Sequence, residues 1–287
     1  MNSVQIDRYA VLGNPVAHSR SPFIHAQFAQ QTGQAVDYGR VLCPLDGFAD
    51  TVRRFADQGG RGCNVTVPFK FEAPALAAHC TERAQLAGAA NVLRLDGGSS
   101  RAGWWADNTD GVGLVRDIES GAQLPLAGLR VLLVGAGGAG AGVLGPLLQV
   151  RPAAVVLANR TLDKAQALVQ RHAAVALDHG VTLSACGLQE PGSAFDVVIN
   201  ASVTSLHGAV SPVPAQVLKP GTLALDLMYG PAAAGFLAWA GEAGATPRDG
   251  LGMLVEQAAE AFFFWRGVRP HTAPVLAALR AEMAAGR

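Results

Sequence analysis

The chain has 287 residues, half of them apolar and 15% charged, with 34 Gly and with 22 basic against 22 acidic residues. This length exceeds the usual single core and points to two domains, and the apolar content excludes a disordered or collagen-like chain. The balanced charge offers no broad positive field, which argues against nucleic acid or an anionic membrane surface as a partner.

In chain order, MNSVQIDRYAVLGNP carries Asp7 and Arg8 ahead of a short apolar run and has no secretory h-region, so a cytoplasmic protein is expected. YAVLGNP reads as a strand, followed by a helix from about Ser21, a strand DYGRVLCP, a helix over 46–58 and a strand GCNVTVP. That alternation marks a parallel α/β sheet. A helical stretch from about Pro74 to Ala78 comes next, and NVLRLDG and RAGWWADN read as a strand pair around Gly97-Gly98. From Asp110, GVGLVRDIES has the pattern of a connecting helix.

A second α/β unit, of Rossmann type, begins with LRVLLVGAGG (129–138) and continues through AVVLANRT (154–161), FDVVINAS (195–202) and TLALDLMY (222–229). Residues 131–150 carry no charge over the length of a membrane span, but six Gly and Pro146 point to strand, loop and buried helix. The chain after ATPRDGLG reads as helical, and its apolar AFFFW run needs a surface to cover it. Those helices are expected to return to the first domain, giving 1–110 with 250–287 as one domain and 111–249 as the other.

Cys43, Cys63, Cys80 and Cys186 lie far apart, with no C-x-x-C and no H-E-x-x-H, so reduced thiols and no metal are expected. The clearest motif is VLLVGAGGAG, in which Gly135, Gly137 and Gly140 form G-x-G-x-x-G directly after a strand and before a helix. Glycines there permit a tight turn and close approach of the backbone to a pyrophosphate held on a helix N-terminus. An acid for the ribose 2′-hydroxyl of NAD belongs about 20 residues on, at the end of the next strand. Asn159-Arg160-Thr161 stand there instead, with Lys164 one turn later. Two cations suit the 2′-phosphate of NADP, although Thr161 as a cap over a solvated first turn with Asp163 is the ordinary alternative.

Only three of the 22 cations are Lys, and one, Lys70, follows the strand-like NVTVPF. Arg stays protonated, whereas Lys in a dry pocket can exchange a proton. The two-residue period puts Asn64, Thr66 and Pro68 on one face of that strand, which is also how a plain polar edge with a solvated Lys would look. Asp110, in ADNTDG, supplies a carboxylate partner for an acid/base pair, though Asp before Gly is common in turns and caps. HSRSP (18–22) offers Ser19 and Ser21 beside the free N–H groups of a helix start, fit for a carboxylate and equally for an N-cap with Pro22 at N1. Gln257 shares a helix face with Met253 and Ala261, inward for substrate hydroxyls or for a structural hydrogen bond.

Together, AVLGNPVAHSRSPFIH, NVTVPFK, LAGAANVL, DNTDGVG, VGAGGAG, ANRT and DGLGMLVEQAAEAF resemble, in order and over nearly the whole chain, the signature segments of the shikimate dehydrogenase family. The resemblance implies a Rossmann NADP-binding domain and an α/β substrate domain completed by the C-terminal helices. It implies reversible NADP-dependent reduction of 3-dehydroshikimate to shikimate, by a monomer or homodimer, with Lys70 and Asp110 catalytic. Ser19 and Ser21 would take the substrate carboxylate; Asn64, Thr66, Asn91, Asp110 and Gln257 would read the ring hydroxyls, and Tyr229 would line the site. Gly135, Ala136, Gly137, Gly138, Ala139 and Gly140 would hold the pyrophosphate, and Asn159, Arg160, Thr161 and Lys164 the 2′-phosphate. Ser202, Leu227, Gly250 and Met253 would complete the cofactor site. A quinate/shikimate dehydrogenase using NAD and a non-catalytic NADP-binding regulatory module are the rival readings; the missing acid disfavours the first, and retention of Lys70 and Asp110 the second. The Trp104-Trp105 pair has no obvious counterpart in the family's pattern.

Overall fold

The computed structural model describes residues 6–98, 100–202 and 210–285. They fall into two compact units, Met1–Gly113 with Val255–Arg287, and Leu114–Leu254.

The first unit opens with β1 (Asp7–Gly13), α1 (Ser21–Thr32), β2 (Val36–Leu42), α2 (Phe48–Asp57) and β3 (Gly60–Val65). β4 (His79–Cys80), α3 (Glu82–Ala87), β5 (Val92–Leu95), β6 (Trp104–Asp107) and the start of α4 (Asp110–Arg116) follow. The sheet order is β2-β1-β3-β5-β6-β4. β1 runs parallel to β2 and β3, whereas β5 is antiparallel to β3 and β6, so the sheet is mixed. The β5–β6 connection over 96–103, in which Gly97 and Gly98 have positive φ, is too short for a crossover, so these two neighbours can only be antiparallel.

On α2, Phe48, Thr51, Val52, Phe55 and Ala56 are buried at helical spacing, and the apolar members pack with Leu12, Val65, Phe69 and Trp104 in one core. Trp104 is fully buried and donates Nε1–H to the Gly98 carbonyl at 2.7 Å, while Trp105 faces outward over His79 with ring centroids 4.7 Å apart. The Trp pair is thus the in/out alternation of an ordinary strand.

Two local expectations need correction. The strand ends at Val65, and Lys70 lies in a 3₁₀ turn over Phe69–Phe71, so the face shared by Asn64, Thr66 and Pro68 is not realised. Pro68 has no N–H with which to continue a ladder, and the Phe69 N–H turns back to the Thr66 carbonyl at 3.1 Å. The helix expected near 74–78 is a short 3₁₀ turn over Ala73–Leu76, and the true helix, α3, starts after Thr81, whose hydroxyl accepts from the Ala84 N–H at 3.3 Å.

The second unit holds β7 (Arg130–Val134), α5 (Gly138–Gln149), β8 (Ala154–Ala158), α6 (Leu162–Asp178) and β9 (Thr182–Cys186). It continues with β10 (Val197–Asn200), β11 (Leu223–Asp226), α7 (Ala234–Glu242) and β12 (Thr246–Arg248). All six strands are parallel in the order β12-β11-β10-β7-β8-β9, the doubly wound dinucleotide-binding topology with its switch point between β7 and β10. The four expected strands are its centre. The two unforeseen ones, β9 and β12, are its edges, where one neighbour suffices and Pro247 is tolerated.

α8 (Leu251–Arg266) carries the chain back to the first unit, and α9 (Thr272–Ala285) ends it. In the AFFFW run, Ala261 and Phe262 are fully buried, and Trp265 lies 4.7 Å from the Tyr9 ring and donates Nε1–H to the Leu93 carbonyl at 3.0 Å. Phe263 points outward, because consecutive helical residues cannot share one face. Among the described residues, no helix is long and apolar enough to cross a membrane.

Candidate active site

Strand pairing gathers the first unit's candidates. β5 is antiparallel to both β3 and β6, so its first residue, Val92, pairs with Asn64 on one side and Asp107 on the other. The end of β3, the start of β5 and the end of β6 therefore meet at one edge of the sheet, bringing together Asn64, Asn91 and the run Asp107 to Asp110. The 3₁₀ turn after β3 brings in Lys70, whose carbonyl accepts from the Ala90 N–H at 2.8 Å.

Lys70 Nζ donates to Asp110 Oδ2 at 2.6 Å, with side-chain exposures of only 15% and 5%. Asn91 Nδ2 lies 2.8 Å from Asp110 Oδ1, 3.0 Å from Thr109 Oγ1 and 3.0 Å from Gln257 Oε1, while Asn91 Oδ1 accepts from the Thr109 N–H at 2.8 Å. One buried amide thus ties the acidic loop to α8. Gly113 permits this approach, since a Cβ there would lie 2.6 Å from the Gln257 backbone nitrogen. Asn64 joins through its Nδ2, which donates to the Asn91 carbonyl at 3.2 Å.

An ionic scaffold stands behind this loop. Arg83 binds both carboxylate oxygens of the fully buried Asp107 and reaches Glu260 Oε1 at 2.9 Å, one helical turn from Gln257. Asp107 also accepts from the Thr81 hydroxyl at 2.6 Å and the Asn108 N–H at 2.7 Å. With both carboxylate oxygens engaged and an Arg as counter-ion, the buried charge becomes a rigid support.

At the head of α1, Ser19 Oγ donates to Ser21 Oγ at 3.2 Å. The N-cap position is Arg20 rather than Ser21 and makes no side-chain cap, while the Ser21 N–H, the first of the helix, donates to Ser19 Oγ at 3.3 Å. Thr66 is half-buried outside β3, its methyl packed where a Gly13 Cβ would otherwise sit.

The second unit holds the remaining candidates. Gly135 has φ +110°, and a Cβ on Gly140 would lie 1.9 Å from the Gly135 carbonyl oxygen, so α5 begins directly against the end of β7. A Cβ on Gly137, at the head of that helix, would meet nothing within 4 Å, leaving the approach for a pyrophosphate open. Ala136, Gly138 and Ala139 complete the turn. Asn159 Oδ1 accepts from the Ala136 N–H at 3.1 Å and its Nδ2 donates to the Thr161 carbonyl at 2.8 Å, clamping the loop to the start of α6. Arg160 and Lys164 are exposed there, and Thr161 makes no side-chain cap. A glycine turn without steric cover and two exposed cations where NAD-binding units keep an acid fit NADP.

Ser202 Oγ donates to Asn200 Oδ1 at 2.6 Å just past β10, and the Leu227 N–H bonds the Asn200 carbonyl at 3.0 Å. A Cβ on Gly250 would lie 2.2 Å from the Leu227 carbonyl oxygen. Met253 is buried on α8, and Tyr229 is half-buried after β11. These residues and Tyr229 belong to the second unit, whereas every other substrate candidate belongs to the first.

Thr109, Arg83, Gly113 and Tyr38 escaped the sequence reading. Thr109 alone carried a signal, as a polar residue beside Asp110; the others act through partners distant in the chain.

Comparison with known proteins shows the family. Residues 11–93 match the family model described as shikimate dehydrogenase substrate binding domain, residues 119–208 that of shikimate / quinate 5-dehydrogenase, and residues 250–280 that of the shikimate 5'-dehydrogenase C-terminal domain. Shikimate dehydrogenase (NADP(+)) of Methylibium petroleiphilum is 64% identical over 96% of this chain and 94% of its own length. The protein of that name from an Acidovorax strain is 63% identical over 98% of both chains. The crystal structure of shikimate 5-dehydrogenase from Thermus thermophilus in complex with NADP(H) and shikimate superimposes with TM-score 0.82 at 32% identity, covering 96% of this chain and 99% of that one. The chain belongs to the shikimate dehydrogenase family.

Proposed function

We propose that this chain catalyses the reversible NADP-dependent reduction of 3-dehydroshikimate to shikimate, a step in aromatic amino-acid biosynthesis, with Lys70 and Asp110 as its acid/base pair. The observation that carries the reading is the Lys70 Nζ to Asp110 Oδ2 hydrogen bond of 2.6 Å, held from behind by Asn91, in a chain whose relatives at 63–64% identity bear the name shikimate dehydrogenase (NADP(+)). NADP supplies the hydride chemistry when bound.

In this reading Lys70 Nζ gives a proton to the oxygen of the ketone being reduced and takes it back in the oxidation direction. Asp110 holds one N–H of that ammonium, which fixes its direction and leaves the others for substrate. Asn64, Thr66, Asn91 and Gln257 orient the ring, Ser19 and Ser21 receive the carboxylate at the head of α1, and Tyr229 lines the site. The glycine turn over Gly135 to Gly140 takes the pyrophosphate, and Asn159, Arg160, Thr161 and Lys164 the 2′-phosphate, with Ser202, Leu227, Gly250 and Met253 around the rest of the dinucleotide. We place the protein in the cytoplasm, in keeping with its four free thiols.

The test is the absorbance of reduced nicotinamide formed by purified protein with shikimate or quinate, each paired with NADP or NAD. Activity concentrated in shikimate with NADP is expected. A preference for quinate with NAD would replace the reading with the rival dehydrogenase, and silence in every pairing would leave a binding module.

A further inference from the structure

β2 takes no part in the proposed chemistry, yet one of its faces touches both ends of the substrate pocket. Tyr38 and Arg40, two residues apart and so on the same face of the strand, point towards α1 and β3. Tyr38 Oη donates to Asn64 Oδ1 at 2.6 Å, and the Ser21 hydroxyl interacts with the same Tyr38 oxygen. Arg40 grips the Ser19 carbonyl through Nε at 3.1 Å and Nη2 at 2.6 Å. Hydrogen bonds thus run from Tyr38 to Asn64 and on to the Asn91 carbonyl, with the Ser19–Ser21 pair beside Tyr38 at the other end.

The direction of these bonds is determined by chemistry. A backbone carbonyl only accepts, so the side of Asn64 that faces Asn91 must be Nδ2, and the side that faces Tyr38 must be Oδ1. Tyr38 therefore donates to Asn64, and its lone pairs are left to accept from Ser21. The Tyr38 ring cannot swing away, because the His25 imidazole stacks on it with centroids 4.1 Å apart and planes 6° apart, both rings being buried. Of the two N–H bonds on Asn64 Nδ2, one goes to Asn91; the neighbouring His25 ring makes no hydrogen bond in good geometry, so no protein acceptor among the described residues takes the other.

We infer that Tyr38 is a positioning residue of the substrate pocket, locking the Asn64 amide so that its second N–H is presented to a ring oxygen of the substrate. The inference rests on the shikimate reading of this site. Without the phenol, the amide can turn its oxygen to the substrate, and a donor becomes a repelling acceptor.

The experiment is a double-mutant cycle on kcat/KM for shikimate at saturating NADP, using Tyr38→Phe, Asn64→Ala and the pair. Tyr38→Phe is expected to lose about tenfold, mainly as a raised KM for shikimate with kcat largely kept, and to leave the KM for NADP and the melting temperature close to wild type. In the Asn64→Ala background the same change should cost less than about twofold, because the amide it positions is gone. Asn64→Asp, which keeps an acceptor for Tyr38 but has no N–H to offer, should fall as far as Asn64→Ala. Multiplying losses in the double mutant, or near-normal rates for Tyr38→Phe or Asn64→Asp, would overturn the inference while leaving the function intact. Wild-type protein inert towards shikimate would remove both.

Discussion

The two units prepare for their ligands in opposite ways. In the first, the polar groups assigned to the substrate bind one another: Lys70 to Asp110, Asp110 to Asn91, Asn91 to Gln257, with Arg83 and Asp107 braced behind. In the second, the groups assigned to NADP are a bare glycine turn and two exposed cations, with Asn159 as the clamp. The difference follows from what each ligand brings. A small polyhydroxylated acid must be read by donors and acceptors of fixed direction, which only a satisfied buried network supplies, whereas a pyrophosphate or 2′-phosphate brings enough charge to order flexible cations around itself.

The contrast breaks most sharply at Lys70. Lys70→Ala should lower kcat by about 10² to 10⁴-fold, the usual contribution of a positioned general acid, while NADP binding measured by fluorescence stays unchanged. Near-normal turnover would take Lys70 out of the chemistry. In the second unit, Arg160→Ala should weaken NADP by about 10 to 100-fold and NAD hardly at all, as one charge-assisted phosphate contact dictates. Equal losses for both dinucleotides would undo the 2′-phosphate assignment.

The smallest effect belongs to stability and sharpens how dry the first unit is. His25 is fully buried with neither ring nitrogen hydrogen-bonded in good geometry, and burial drives it from 6.5 down to about 3, partly offset by the adjacent Asn64. The unfolded chain therefore takes up this proton first, so the contribution of neutral His25 is complete above about pH 6.5 and declines as the pH falls towards 3. The slope is about 1.4 kcal/mol per pH unit. Urea unfolding of wild type and His25→Phe, which keeps a ring on Tyr38, should diverge by about 1 kcal/mol between pH 6.5 and 5.5, the full slope being reached below that. Parallel stabilities would mean that His25 titrates alike in the folded and unfolded states.

What the sequence made legible was whatever chemistry is local. The glycine turn, the absent acid at Asn159, the isolated Lys70 and the DNTDG run each carry their meaning within a few residues. The central strands of the second unit were equally plain, because β10 and β11 are buried along their whole length and read as apolar runs. The edges β9 and β12 are partly exposed and carry no apolar run, and the six-residue α3 is too short to develop a period.

Tyr38 and Gly113 were invisible for another reason. Tyr38 matters only because the β2-β1-β3 order sets it within 2.6 Å of a side chain 26 positions away, and Gly113 only because α8 returns to it after the whole second unit. The misplaced strand end at Lys70 belongs with them. Period-two alternation continues through Val67 in the sequence, while the loss of an N–H at Pro68 turns the backbone.

The most direct test of a prebuilt substrate half is a crystal structure of the protein with shikimate bound and no NADP. The expected result places ring oxygens on Lys70 Nζ, Asp110, Asn91 and Gln257, a further one on the free N–H of Asn64, and the carboxylate at Ser19 and Ser21. The first unit's side chains should move by less than about 1 Å from the arrangement described. Shikimate bound elsewhere, or a Lys70–Asp110–Asn91 network that forms only around the ligand, would contradict it.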